Sequence, residues 1–197
     1  MLPSAIRVLL IGTSTLLALI SPVIYSHSIL KGETKPHRTT RFVLLLITVL
    51  STASLFAQHD RAAVWLAGVS ALQAIFIFGL SIKRGMGGWS ASDIICLIIA
   101  LIGITAWQTS NNPSLGLYFS ILADFTGMVP ALMKTYRWPH TENVWFFVLD
   151  MIAGALTFLA VTAFTKEQTA YPIYIAFING AMVYLILKPK LSKRPLN

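Results

Sequence analysis

The sequence predicts an all-α membrane protein: seven transmembrane helices arranged as two parallel three-helix bundles joined by a linker helix, with the N-terminus outside and the C-terminus cytoplasmic. Three observations carry that prediction. Hydrophobic residues make up 56% of the chain against 11% charged, and mean hydropathy is +0.73, a balance that does not describe a water-soluble domain. Runs free of Asp, Glu, Lys and Arg recur at lengths near the roughly 20 residues a helix needs to cross a hydrocarbon core about 30 Å thick. A pattern written at 21–42, "SPVIYSHSILKGETKPHRTTRF", also returns in outline at 129–146, "VPALMKTYRWPHTENVWF".

The charge-free runs place the elements in order. Residues 8–30, 42–59 and 62–82 predict the first three helices. The run 94–123 is too long for one span, and "TSNNPS" at 109–114 divides it. Asn-Pro is a turn signal and proline suits the first position of a helix, so helix four is expected over 94–108 and helix five over 113–133. Helix six is expected over 143–165. Helix seven is expected from Pro172, read as a helix-starting proline, to 187, where Lys-Pro-Lys closes it. The first segment is expected to remain as a span, because it lacks the small-residue cleavage site of a signal peptide. The domain reading is a first three-helix repeat over 1–88, linker helix four over 89–112, and a second repeat with a short basic tail over 113–197.

Charge sets the expected orientation. The connections after helices one, three and five, with the tail, hold Lys31, Lys35, Arg38, Arg41, Lys83, Arg84, Lys134, Arg137, Lys188, Lys190, Lys193 and Arg194; the other side holds only Arg7, Arg61 and Lys166. Lys and Arg gather on the cytoplasmic side of membrane proteins, so the formal net charge of +8 reads as topology rather than as a nucleic-acid surface. Pro22 and Pro130 then both fall in the cytoplasmic half of a helix, and Pro36-His37 and Pro139-His140 both fall in the loop that follows. Helices one to three and five to seven thus look like two copies of one unit, with an odd helix between them to restore direction. A proline inside a membrane helix removes a backbone bond, so Pro22 and Pro130 are expected hinges.

Ionisable and amide groups at bilayer depth mark the candidate site, because they are costly in hydrocarbon and turn toward a bundle interior. Asp124 lies eleven residues into helix five, about 16 Å at 1.5 Å per residue, and Gln73 lies at similar depth. Asp150 and Asn179 each fall about 10–12 Å in. Gln73, Asp124, Asp150 and Asn179 are therefore the expected substrate-binding residues. Spacings of three and four put Ser120, Asp124 and Gly127 on one face of helix five, and Asp150, Gly154 and Thr157 on one face of helix six. Asp93 in "SASD" fits a helix cap, and the tryptophans, Trp138 among them, fit an aromatic belt. No catalytic residue, cofactor or metal site is expected: the chain has one cysteine, Cys96, dispersed histidines, and no nucleophile or metal motif. It is not expected to be an enzyme.

The three-plus-one-plus-three layout, the outside N-terminus and the proline motifs of helices one and five resemble the SWEET and PQ-loop superfamily. The Pro-Gln pair itself is absent, since Val23 follows Pro22 and Ala131 follows Pro130. Asn179 in "YIAFINGAM" matches the superfamily's inner-helix asparagine. The resemblance implies a multi-pass transporter of the cell (inner) membrane, carrying a small polar solute such as a sugar by alternating access, with proton coupling through the aspartates as an option. Its expected partners are that solute, membrane lipids and, as an open question, a second copy, but not nucleic acid. The alternative is a non-transporting receptor or assembly factor whose polar residues hold a packed core.

Overall fold

The computed structural model describes residues 3–33, 36, 38–85, 89, 91–137, 139 and 142–192, the side chains of 92, 130, 134 and 189–192 excepted. They form seven α-helices: α1 (Ser4–Leu30), α2 (Arg38–Ala57), α3 (Ala63–Arg84), α4 (Ala91–Ser110), α5 (Pro113–Arg137), α6 (Val144–Ala160) and α7 (Lys166–Ser192). Six are long and apolar enough to cross a bilayer, and α6 is a shorter apolar helix of 17 residues. The protein is an integral multi-pass membrane protein. Every helix turns a large apolar side chain outward, such as Val8, Phe56, Phe76, Ile98, Leu122, Leu159 and Phe177. In water such a surface would associate; against lipid it is the covering a bundle requires.

Helix packing closes a ring. Among the described residues α1 packs on α3 and α6, α6 on α7, α7 on α5, α5 on α2, and α2 on α3. Helix α4 lies outside, against α5 and α2, while α3 also reaches α6 and α7. Two seams of the ring carry hydroxyl pairs: Ser14 with Thr157 between α1 and α6 (2.6 Å), and Ser51 with Ser120 between α2 and α5 (2.7 Å). Small residues bring backbones together elsewhere, as at Gly154, where a Cβ would stand 2.7 Å from the Ala176 nitrogen and 3.0 Å from the Pro172 carbonyl oxygen of α7.

Several boundaries differ from the sequence expectation: α1 and α2 each begin four residues earlier, α5 runs four residues further, and α7 continues through Lys-Pro-Lys to Ser192. Helix six starts where expected, with the Asn143 side chain accepting from the Trp145 N–H (3.0 Å), but ends at Ala160 rather than 165 because Val161 is extended. Helix seven starts at Lys166, and Pro172, expected to begin it, is buried inside it. The cause is a capping box in "TKEQ": Thr165 Oγ1 accepts from the Gln168 N–H (3.4 Å), and Gln168 Oε1 reaches back to the Ala163 N–H (2.8 Å) and the Thr162 hydroxyl (2.9 Å). Arg41, assigned to a loop from its charge, sits in the first turn of α2. The expected roles of Lys35, His37, Trp138, His140, Lys193 and Arg194, and of the Pro130 side chain, lie outside the described residues.

The turn between α2 and α3 rests on Asp60, whose Oδ1 accepts from the Ala62 and Ala63 N–H groups (both 2.8 Å) while its Oδ2 is buried without a partner. Burial pushes the Asp60 carboxyl above the usual carboxylate range, against the pull of those two N–H groups. A carboxyl raised on folding binds its proton more tightly in the folded state, so its contribution is full below 3.8 and is lost as pH rises through the folded value. Thermal unfolding in detergent should therefore show wild type losing stability relative to Asp60→Asn as pH rises above 3.8; a constant difference would exclude Asp60 as the titrating group. In the same assay Gly154→Ala should cost about 1–3 kcal/mol, because the clash is with backbone that cannot move aside. Gly12→Ala, with nothing within 4 Å of the new Cβ, should be neutral.

Candidate functional site

The ring brings Gln73 and Asp150 together with a residue that charge and motif did not single out. Ser21, immediately before Pro22, donates to Asp150 Oδ1 (2.6 Å), and Gln73 Nε2 stands 3.4 Å from both Asp150 Oδ2 and Ser21 Oγ. Three helices, α1, α3 and α6, thus meet on one carboxyl. All partners here are neutral, and the carboxyl receives two hydrogen bonds in place of the water it would otherwise hold.

Pro22 gives the node its mechanical link. Proline has no N–H, so the Ala18 carbonyl four residues earlier has lost its helical donor. The Ser21 hydroxyl lies 3.3 Å from that carbonyl and 2.6 Å from Asp150. A hydroxyl has one hydrogen and two acceptors compete for it. When it is committed to Asp150, the Ala18 carbonyl at the proline break has no strong donor; when it is released, it can close that break.

A second carboxyl sits on the other side of the ring. Asp124 of α5 accepts a hydrogen bond from the Tyr174 hydroxyl of α7 through Oδ2. Tyr171, one turn earlier on α7, is 3% exposed, faces the Ser70 hydroxyl of α3, and lies within electrostatic reach of both Asp124 and Asp150. Nearer the end where α1 finishes, the half-buried Arg41 of α2 donates to the Tyr25 hydroxyl of α1 (2.5 Å), with its guanidinium 4.9 Å from the ring centroid. Tyr25 in turn stacks on Phe146 of α6 at 4.8 Å.

These pairs share one property: Ser70 with Tyr171, Gln73 with Asp150, and Arg41 with Tyr25 each join helices that are not consecutive around the ring. They cross its interior. A polar column therefore runs along the axis, with Tyr171 and Ser70 at one level, the Ser21–Gln73–Asp150 node next, and Arg41 with Tyr25 toward the basic end. Asn179 does not join it. Its amide donates to the Ile175 carbonyl of its own helix (2.8 Å) and the residue is 8% exposed. The helix-five face is divided too: Ser120 bonds Ser51, and Gly127 faces Cys96 of α4. Ser21, Ser70, Tyr171, Tyr174 and Arg41 carried only faint sequence signals, chiefly the three-residue spacing in "YPIY" and the serine beside Pro22.

No family model, curated protein or solved structure matches this chain.

Ser21 and Asp150 should be energetically coupled. In a double-mutant cycle, Ser21→Ala and Asp150→Asn together should destabilise less than their sum, by about 1 kcal/mol, as expected of a direct hydrogen bond. Strict additivity of the two melting shifts would mean that they are not partners.

Proposed function

We propose that the protein is a carrier that moves a small polar solute, such as a sugar, by alternating access. The observation that carries this reading is the polar column, in which Gln73 of α3 and Asp150 of α6 face one another across the ring. A core built only to be glued together has no need of carboxyls left on neutral partners at that depth.

The arrangement of the ring supports two parallel repeats. Exchanging α1 with α5, α2 with α6 and α3 with α7 turns the α1–α6 seam into the α5–α2 seam, and the order α1-α3-α2 into α5-α7-α6. Each of the two exchanged seams carries its hydroxyl pair. Repeats related by an axis along the membrane normal place a solute between them, and the proposed motion rocks one three-helix bundle against the other. Pro22 and Pro130 are its hinges. Release of the Ser21 hydroxyl from Asp150, by solute or by proton, changes the support of the Pro22 break and so couples the site to the hinge. With Lys and Arg gathered at one end, the proposed orientation puts the N-terminus outside and that end in the cytoplasm. The layout and proline positions resemble the SWEET and PQ-loop superfamily, which is the origin of the sugar in this proposal.

Purified protein should be stabilised in a thermal-shift screen by one class among sugars, amino acids and nucleosides, and Gln73→Leu and Asp150→Asn should each reduce that binding at least about tenfold, equivalent to about 1.4 kcal/mol. In proteoliposomes Pro22→Ala should slow exchange while leaving binding within about threefold, a difference under about 1 kcal/mol. No stabilising solute, together with early melting of both site variants, would favour the receptor or assembly-factor reading. If protons are coupled, Asp124→Asn should flatten the pH profile of uptake.

A further inference from the structure

The last two turns of α1 border a surface groove of about 440 Å³ whose walls include Val23, His27, Ser28, Lys31, Glu33 and Asn143. From this groove we infer a binding site for a membrane phospholipid whose headgroup carries both a phosphate and a primary ammonium, the ethanolamine class.

The stripe along α1 sets the orientation. Val23, His27 and Lys31 are spaced by four and so lie on one face, in the order apolar, imidazole, ammonium toward the end of the helix. The apolar part continues inward through Leu16, Leu19 and Val23, exposed by 58%, 45% and 65%, which is a track for an acyl chain rather than for a soluble ligand. At the upper end, Lys31 and His27 supply donors for a phosphate. Asn143, the N-cap of α6, adds the positive end of a helix to the same groove.

Glu33 decides which lipid fits. It is not a loose surface acid, because the chain leaves α1 through a Schellman turn: Gly32 has φ +77, its N–H donates to the Ile29 carbonyl (3.1 Å), and the Glu33 N–H donates to the Ser28 carbonyl (3.0 Å). The Ser28 hydroxyl then holds the Glu33 carboxylate at 3.0 Å. A carboxylate fixed at the mouth of a groove that also carries Lys31 repels a purely anionic headgroup and leaves an acceptor for an ammonium. Phosphate on Lys31 and ammonium on Glu33 satisfy both charges. A choline headgroup presents the charge without an N–H to donate, and a glycerol headgroup presents neither. This site does not depend on the carrier reading, since it requires only that the chain cross a membrane.

Native mass spectrometry of the full chain, released from mixed micelles holding equal amounts of ethanolamine, choline and glycerol phospholipids of one acyl composition, tests the assignment. The ethanolamine lipid should be retained at least threefold over each of the others. Glu33→Gln should erase or invert its advantage over the glycerol lipid, and Lys31→Gln should lower retention of both. Soluble phosphoethanolamine at the same concentration should not displace the lipid. Equal retention of all three lipids, preference for the glycerol lipid in wild type, or a preference unchanged in both variants would overturn the site; displacement by soluble phosphoethanolamine would overturn its assignment to a lipid. Both variants change exposed residues, and an unchanged melting curve separates loss of the site from loss of the fold.

Discussion

A carboxyl inside a bilayer constrains everything around it. Placing an aspartate at the centre of a membrane helix costs about 3 kcal/mol even on insertion scales, so Asp150 dictates that α6 turn inward and that other helices supply donors. Ser21 and Gln73 are those donors, and their positions require α1 and α3 to approach α6 from different sides. The ring follows from this need. With α1, α3 and α6 converged on Asp150, large apolar side chains of all seven helices face outward, and further polar pairs such as Ser51–Ser120 and Asp124–Tyr174 close seams of the ring.

The same node places a chemical event beside a mechanical weakness. Proline breaks in membrane helices are tolerated where a hydroxyl or a neighbouring helix can satisfy the orphaned carbonyl. Here the hydroxyl that can do so for Ala18 is the one that Asp150 also claims. Any change that alters the demand of Asp150 for that hydrogen alters the local stiffness of α1. Helix α1 also packs on α6 and borders the groove lined by Val23, His27 and Lys31, so the carboxyl node, the proline break and the groove lie along a single element.

Much of the fold was legible in the chain because lipid is a uniform solvent. Charge-free runs and "TSNNPS" located seven helices, and depth counting singled out Gln73, Asp124, Asp150 and Asn179. What failed had identifiable causes. Pro172 suggested a helix start, but the Thr165–Gln168 capping box had already begun α7 at Lys166, six residues earlier, and the buried proline was carried within it. Arg41 was assigned to water by its charge, whereas a half-buried guanidinium over the Tyr25 ring satisfies it inside the bundle end. Asn179 lies at the counted depth, and the structure adds that its amide donates to the Ile175 carbonyl of its own helix. Depth can be counted from a sequence; the face on which a polar group ends up is set by packing.

The central claim is that the interior of the ring is a water-accessible polar column rather than a packed seam. Adjacent positions on α3 test it most directly, because Gln73 faces the interior and Leu72, 59% exposed, faces lipid. In a Cys96→Ala background, single cysteines at positions 72 and 73 would be challenged in membranes with a small, charged, water-soluble thiol reagent, with a cysteine replacing the exposed Lys83 as the reactive control. The account predicts that position 73 reacts, that position 72 does not, and that solute protects position 73. If position 73 stays as inert as position 72 while the control reacts fully, the interior is packed and the carrier reading is wrong.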